Sequence, residues 1–118
     1  MTDFSQGAAH VDGQLVPIAQ AKISLLDWGF LHSDATCDVA GVLRGKFFGL
    51  DDHIERFFAS MEKLHMSIPH SRNDLRAILI ECVRASDRQR CTRPGYTEIA
   101  KTILASTRRS ALHFENRL

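Results

Sequence analysis

The chain has 118 residues, 44% of them hydrophobic and 25% charged, with seven Gly, three Pro and a formal net charge of +1. That length fits one domain, and the composition excludes disorder, collagen-like repeats and low-complexity tracts over most of it. No apolar run approaches the roughly 20 residues that a bilayer span requires.

In chain order, the first 50 residues read as short strands joined by tight turns. Ala8–Val11 and Gln14–Ile18 flank Asp12-Gly13, a dipeptide suited to the φ > 0 conformations of a two-residue hairpin turn. Ile23–Leu31 is largely apolar but interrupted by Asp27, Trp28 and Gly29, and reads as an irregular segment leading into a strand. A second hairpin is expected between Thr36–Leu43 and Lys46–Phe48 across Arg44-Gly45. Helical periodicity then begins at Asp51: Ile54, Phe57, Phe58, Met61 and Leu64 form one apolar stripe, with Asp51, Asp52 and Glu55 near its positive end. Ser67-Ile68-Pro69 closes that helix. Ser71 with Asp74 three residues on makes a capping-box pattern for a second helix, whose apolar face is Leu75, Ile78, Leu79, Cys82 and Val83. The basic segment Arg88–Gly95 breaks the pattern, and Ile99, Ile103 and Leu104 suggest a weaker helix to about Arg109. Strands followed by two amphipathic helices predict an α+β fold, an antiparallel sheet of short strands with the helices packed on one side.

Charge divides the chain unevenly. Residues 1–87 carry 8 Lys/Arg against 12 Asp/Glu, whereas residues 88–118 carry 7 against 2. The expected organisation is therefore a domain over 1–87 and a basic tail over 88–118 that is partly helical or poorly ordered. A solvated end explains such a tail better than a nucleic-acid site, so no nucleic-acid partner is expected. Met1–Gly7 lacks the basic start and apolar stretch of a secretory signal. Three widely spaced cysteines, Cys37, Cys82 and Cys91, argue against a disulfide framework and for a reducing compartment. A soluble cytoplasmic protein without a membrane partner is expected.

Several chemical constellations fail on geometry. His32-Ser33-Asp34 holds the atoms of a hydrolase triad, but adjacent residues on an extended chain point to opposite faces. No two of the six histidines have the i, i+4 spacing of a helical metal site, so no metal is expected. Gly41, Gly45 and Gly49 fall around a hairpin and precede no P-loop Lys-Ser pair. Phe47, Phe48, Phe57 and Phe58 fit a sheet–helix core better than a base-stacking platform. Arg56 stands apart, because its helical position lies off the apolar stripe. It is either a solvated arginine paired with Asp52 one turn earlier or an anion-binding arginine whose planar fork suits phosphate oxygens. Pattern alone leaves both open. In either case its replacement is expected to cost little stability, as at an ordinary surface site.

Three segments together carry a resemblance: Val11–Ile18, Ala21–Asp34 with its Leu-Leu-Asp-Trp-Gly-Phe-Leu-His-Ser-Asp run, and Leu50–Arg56. In this order and spacing they resemble the N-terminal domain of class IV (fold type IV) pyridoxal-phosphate aminotransferases over about residues 8–87. The Gly29–Asp38 stretch looks closest to the (R)-selective amine transaminases. The resemblance implies pyridoxal 5'-phosphate as cofactor, amine or amino-acid and keto-acid substrates, and a homodimer. It matches Arg56 to the arginine that binds the cofactor phosphate, and His32, Cys37 and Val39 to the substrate pocket. At Cys37 the family pattern usually carries tyrosine, so a hydrogen-bonding phenol is lost and volume gained there. None of Lys22, Lys46, Lys63 and Lys101 matches the family's Schiff-base lysine, so no catalytic residue is assigned within this chain. The expectation is a truncated class IV aminotransferase, inactive by itself; the alternative is a non-catalytic dimerisation or interaction module derived from that domain.

Overall fold

The computed structural model describes residues 2–4, 6–43, 46–90, 101–106 and 112–115. The first hairpin forms as its turn dictates. Strand β1 (Ala8–Val11) pairs antiparallel with β2 (Gln14–Pro17), Val11 opposite Gln14. Asp12 and Gly13 both take positive φ, 51° and 80°, the backbone of a two-residue turn whose twist matches the strands. After a single 3₁₀ turn (Ile18–Gln20), the segment read as irregular contains one short helix, α1 (Trp28–His32). Asp27 caps it, its Oδ1 accepting from the Gly29 backbone N–H at 2.8 Å, and Ser33 ends it in the left-handed region. A Cβ at Gly29 would stand 2.9 Å from that Oδ1 and 3.1 Å from the Cβ of Ala35, so glycine lets α1 seat against the next strand.

The second hairpin is corrected. Only Val42–Leu43 (β4) pairs with Lys46–Phe47 (β5), in a separate two-stranded ladder; Arg44-Gly45 lies outside the described residues. Ala35–Asp38 instead forms β3, which pairs with a strand much later in the chain. The helix expected to run to Arg109 is corrected too, because Lys101–Ser106 is a strand, β6, and Leu112–Glu115 is another, β7. Six residues containing Thr102 and Ile103 suit either state locally. Pairing on both sides decides for strand. The sheet order is β2-β1-β7-β6-β3, antiparallel at every step. Residues from the basic end thus stand between the two N-terminal parts of the sheet.

Helices α2 (Leu50–Lys63) and α3 (Arg72–Arg90) cover one face, α2 against β3 and α3 against β1. The fold is α+β. Leu50, Ile54, Phe57 and Met61 are buried at spacings of four and three, while Leu64 falls on the C-cap and is exposed. On α3, Leu75, Leu79, Cys82 and Val83 are buried with Ser86, whose hydroxyl donates to the Cys82 carbonyl at 2.8 Å. Fully buried side chains such as Phe57 and Leu75 each contribute about 1.5–3 kcal/mol. The capping box forms as its sequence predicts: the Asp74 N–H donates to Ser71 Oγ at 3.1 Å and the Ser71 N–H to Asp74 Oδ2 at 3.0 Å. Two ion pairs, Arg72–Glu55 at 2.6 Å and Arg76–Asp51, join the helices on their outer side, and the Arg72 guanidinium lies 4.6 Å above the Phe58 ring.

Candidate functional site

Exposure alternates from the end of β3 into the residues that follow it: Asp38 and Ala40 are buried toward the helices, while Cys37 and Val39 are exposed. Helix α2 crosses the buried side, and its residues 53 and 56, three apart and therefore neighbours on one face, both reach Asp38. Arg56 grips the carboxylate with two bonds, Nε to Oδ2 at 2.6 Å and Nη2 to Oδ1 at 2.7 Å. The Val39 backbone N–H donates to Oδ1 at 2.8 Å, and His53 Nδ1 lies 2.8 Å from the same oxygen.

Hydrogen bonding from Arg56, above all, holds the Asp38 carboxyl below the ordinary carboxylate range; His53, the Arg56 charge and the Val39 N–H act in the same direction, while burial opposes them. An ionised Asp38 can only accept, so His53 Nδ1 must carry the proton between them. The 3.1 Å approach of Arg56 Nη2 to that same Nδ1 is then a meeting of two donors converging on one oxygen, not a further hydrogen bond.

The partner of Arg56 is therefore Asp38 and not Asp52, which corrects the local pairing. Its placement off the apolar stripe holds, with the side chain 64% exposed. The expectation of a low stability cost changes, because the pair's other half is 4% exposed. Removing Arg56 would strip a buried carboxylate of its principal partner.

Of the pocket candidates, Cys37 is exposed on β3, Val39 is exposed just after it, and His32 ends α1 with its ring packed on Trp28, centroids 4.8 Å apart. Cys91 and Ile99 lie outside the described residues. Burial pushes the Cys82 thiol up to about 12, which leaves it an inert core group. His10 is buried on β1 with its ring 6.3 Å from that of His70. Burial, and then the His70 charge, lower its pKa against a raising effect of Glu81. Lys22, Lys46 and Lys63 are all exposed. Among the described residues, no group of three His, Cys, Asp or Glu could hold a metal ion, and no helix is long and apolar enough to cross a membrane.

Asp38 and His53 carry no local signal of their role. The nearest cue is that His53 and Arg56 share the polar side of an amphipathic helix; nothing in the sequence tells that an acid on β3 lies beneath them.

The family model described as amino-transferase class IV matches residues 36–113, a span that includes most of β3, both long helices, β6 and part of β7. The D-alanine aminotransferase of Listeria monocytogenes serotype 4b (strain F2365) is 36% identical over 73 residues, 62% of this chain and 25% of that protein. The branched-chain-amino-acid aminotransferase named as putative in Methanocaldococcus jannaschii is 27% identical over 78 residues, 66% of this chain and 27% of its own length. Among solved structures, the branched-chain aminotransferase from the thermophilic archaeon Thermoproteus uzoniensis with norvaline superposes with a TM-score of 0.69 at 20% identity, over 92% of this chain and 39% of that one. The chain spans about a quarter of the length of these curated relatives. The match to more than half of its residues, on the fold just described, makes the chain a member of the class IV amino-transferase family.

Proposed function

We propose that this chain is the phosphate-binding and substrate-facing part of a pyridoxal-phosphate-dependent aminotransferase, one that moves an amino group between an amine or amino acid and a keto acid. The observation that carries the proposal is the Arg56 guanidinium, largely exposed yet fixed at one edge by a buried carboxylate. A held, planar cation with spare donors fits a phosphate monoester. Arg56 would hold the cofactor phosphate; bound there, the cofactor would supply the electron sink for amino-group transfer. Cys37, exposed on β3, and Val39, exposed just after it, would shape the substrate side together with His32. A thiol in place of the family's usual phenol leaves that side roomier and poorer in hydrogen bonds.

The covalent lysine is assigned to residues outside these 118. Lys22, Lys46 and Lys63 stand exposed on the surface, outside any enclosed pocket of the kind a Schiff-base lysine works in. The chain alone is thus a truncated enzyme, expected to be inactive, in a cytoplasmic homodimeric protein. A non-catalytic dimerisation or interaction module is the second reading. The exposed Leu25, Leu26, Phe30 and Leu31 around α1 favour it.

Binding of pyridoxamine 5'-phosphate against pyridoxamine separates the two; neither compound has an aldehyde to react with surface lysines. The aminotransferase reading expects the phosphorylated compound to bind at least about tenfold more tightly, through charge-assisted hydrogen bonding that Arg56→Ala abolishes. Equal binding of the two compounds would leave the module reading.

A further inference from the structure

A guanidinium has five N–H donors arranged along its edges. In Arg56 the Nε–Nη2 edge is taken up by Asp38, with one bond to each carboxylate oxygen. Three donors remain, two on Nη1 and one on Nη2, and two of them lie along a second edge able to meet two oxygens of one anion. Asp38 has no comparable reserve. Its two oxygens already receive Arg56 Nε, Arg56 Nη2, His53 Nδ1 and the Val39 N–H, about the four acceptor sites a carboxylate offers. Three of these donors converge on Oδ1 and one on Oδ2, so Oδ1 is fully engaged and the acceptor capacity that remains is on the buried Oδ2. Its side chain is also 4% exposed, so it stays behind Arg56 and does not face an incoming molecule.

From this arrangement we infer that Asp38 is a positioning residue: it fixes Arg56 by one edge so that the Nη1–Nη2 edge receives a terminal phosphate end-on. His53 completes the device by crowding Nη2 from the side. With Nδ1 protonated, it is a third donor on Oδ1, beside Arg56 Nη2 and the Val39 N–H, and keeps the guanidinium from sliding across the carboxylate. The inference rests on the function proposed above and deepens it, since it names the group that aims the phosphate-binding edge. It sets two opposing effects of Asp38 against each other. The negative charge weakens Arg56's field for an anion, while the clasp removes the rotamer freedom of a long exposed side chain that binding would otherwise have to freeze. Both bonds are short and charge-assisted, so both effects are strong, and the Asp38 variants below measure their balance.

Two measurements on the full chain test this. The first uses the wild-type protein and follows the arginine side-chain N–H resonances by nuclear magnetic resonance during titration with inorganic phosphate and then pyridoxamine 5'-phosphate. The Nη signals of Arg56 should move while its Nε–H, sealed to Asp38, stays in place. An Nε–H that moves as much as the Nη signals would mean that the clasp opens for the anion, which overturns the inference. The second is a double-mutant cycle. Asp38→Ala and Arg56→Ala should each weaken pyridoxamine 5'-phosphate binding about tenfold, the double variant no more than either, and Asp38→Glu should recover part of the loss. If Arg56→Ala weakens binding but Asp38→Ala leaves it unchanged or tightens it, Asp38 is only a neutralising charge and the inference fails, while the proposed function stands. If Arg56→Ala has no effect, the proposed function fails with it. Should an Asp38 variant not fold, the wild-type titration decides alone.

Discussion

Two of the ion pairs that tie helix α2 to its neighbours share a chemistry but not a setting. Arg72–Glu55 faces outward, its side chains 55% and 61% exposed, whereas in Arg56–Asp38 the arginine is 64% exposed and the aspartate only 4%. Both have a closest N–O distance of 2.6 Å. The contrast teaches that distance says little about what an ion pair does. Water already solvates both halves of the outer pair, so breaking it returns each to a comfortable environment. The inner pair couples a solvated cation to an anion that has left the solvent, and the anion depends on its donors.

The sharpest way to break the comparison is to delete the two acids. Asp38→Ala removes four hydrogen bonds at once, two from a cation, and should cost about 1.5–3 kcal/mol of unfolding free energy, the range for bonds to charged groups. A urea denaturation midpoint unchanged from wild type would show the inner pair to be no more than a surface one.

Acid provides a smaller and reversible break. Because the folded chain holds the Asp38 carboxyl below its ordinary value of 3.8, the unfolded chain binds more protons near and below that pH. The stabilisation is complete above 3.8 and is lost as the pH falls through the lower folded value. Asp38→Asn should flatten this limb of the stability–pH curve; a variant curve parallel to wild type below about pH 4 would contradict the assignment. His10 adds a separate limb at higher pH. Its folded pKa lies below 6.5, so the unfolded chain takes up that proton first and stability declines as the pH falls through 6.5 toward the folded value. Asp38→Asn should leave this limb in place.

The smallest effect belongs to the outer pair. Glu55→Gln should change stability by about 0–1 kcal/mol, and less at high salt. A larger loss in the same urea assay would mean that Arg72, stacked over Phe58, needs Glu55 to hold its place.

What was legible in the sequence follows the range of the interaction. The Asp12-Gly13 turn and the Ser71–Asp74 box are settled by residues within three positions of each other, and both form as expected. The position of Arg56 off the apolar stripe is likewise a matter of one helix's periodicity. Its partner is not. Helical spacing offers Asp52, yet the bond goes to Asp38, 18 residues away on a strand whose inward side is set only once α2 has packed. Strand β3 went unread as a partner of β6 for the same reason: the sequence beside it offered a nearby hairpin, and the strand that pairs with it lies beyond both helices. The basic composition of residues 88–118 pointed to a solvated end, whereas β6 and β7 occupy the middle of the sheet.

That interleaving has a consequence for synthesis on the ribosome. The β1–β2 hairpin and the α2–α3 pair can form as they emerge, since their contacts are local. Strand β3 cannot be joined to β1 until β6 and β7 have been translated and inserted between them, so the nascent chain carries β3 with an open edge until then. The long-range pairings are thus β1 with β7 and β3 with β6, and the second of them involves the strand that bears Asp38. The clasp on Arg56 is consequently among the last parts of the molecule to gain its support, and substitutions in β6 should reach it by delaying the closure of the sheet.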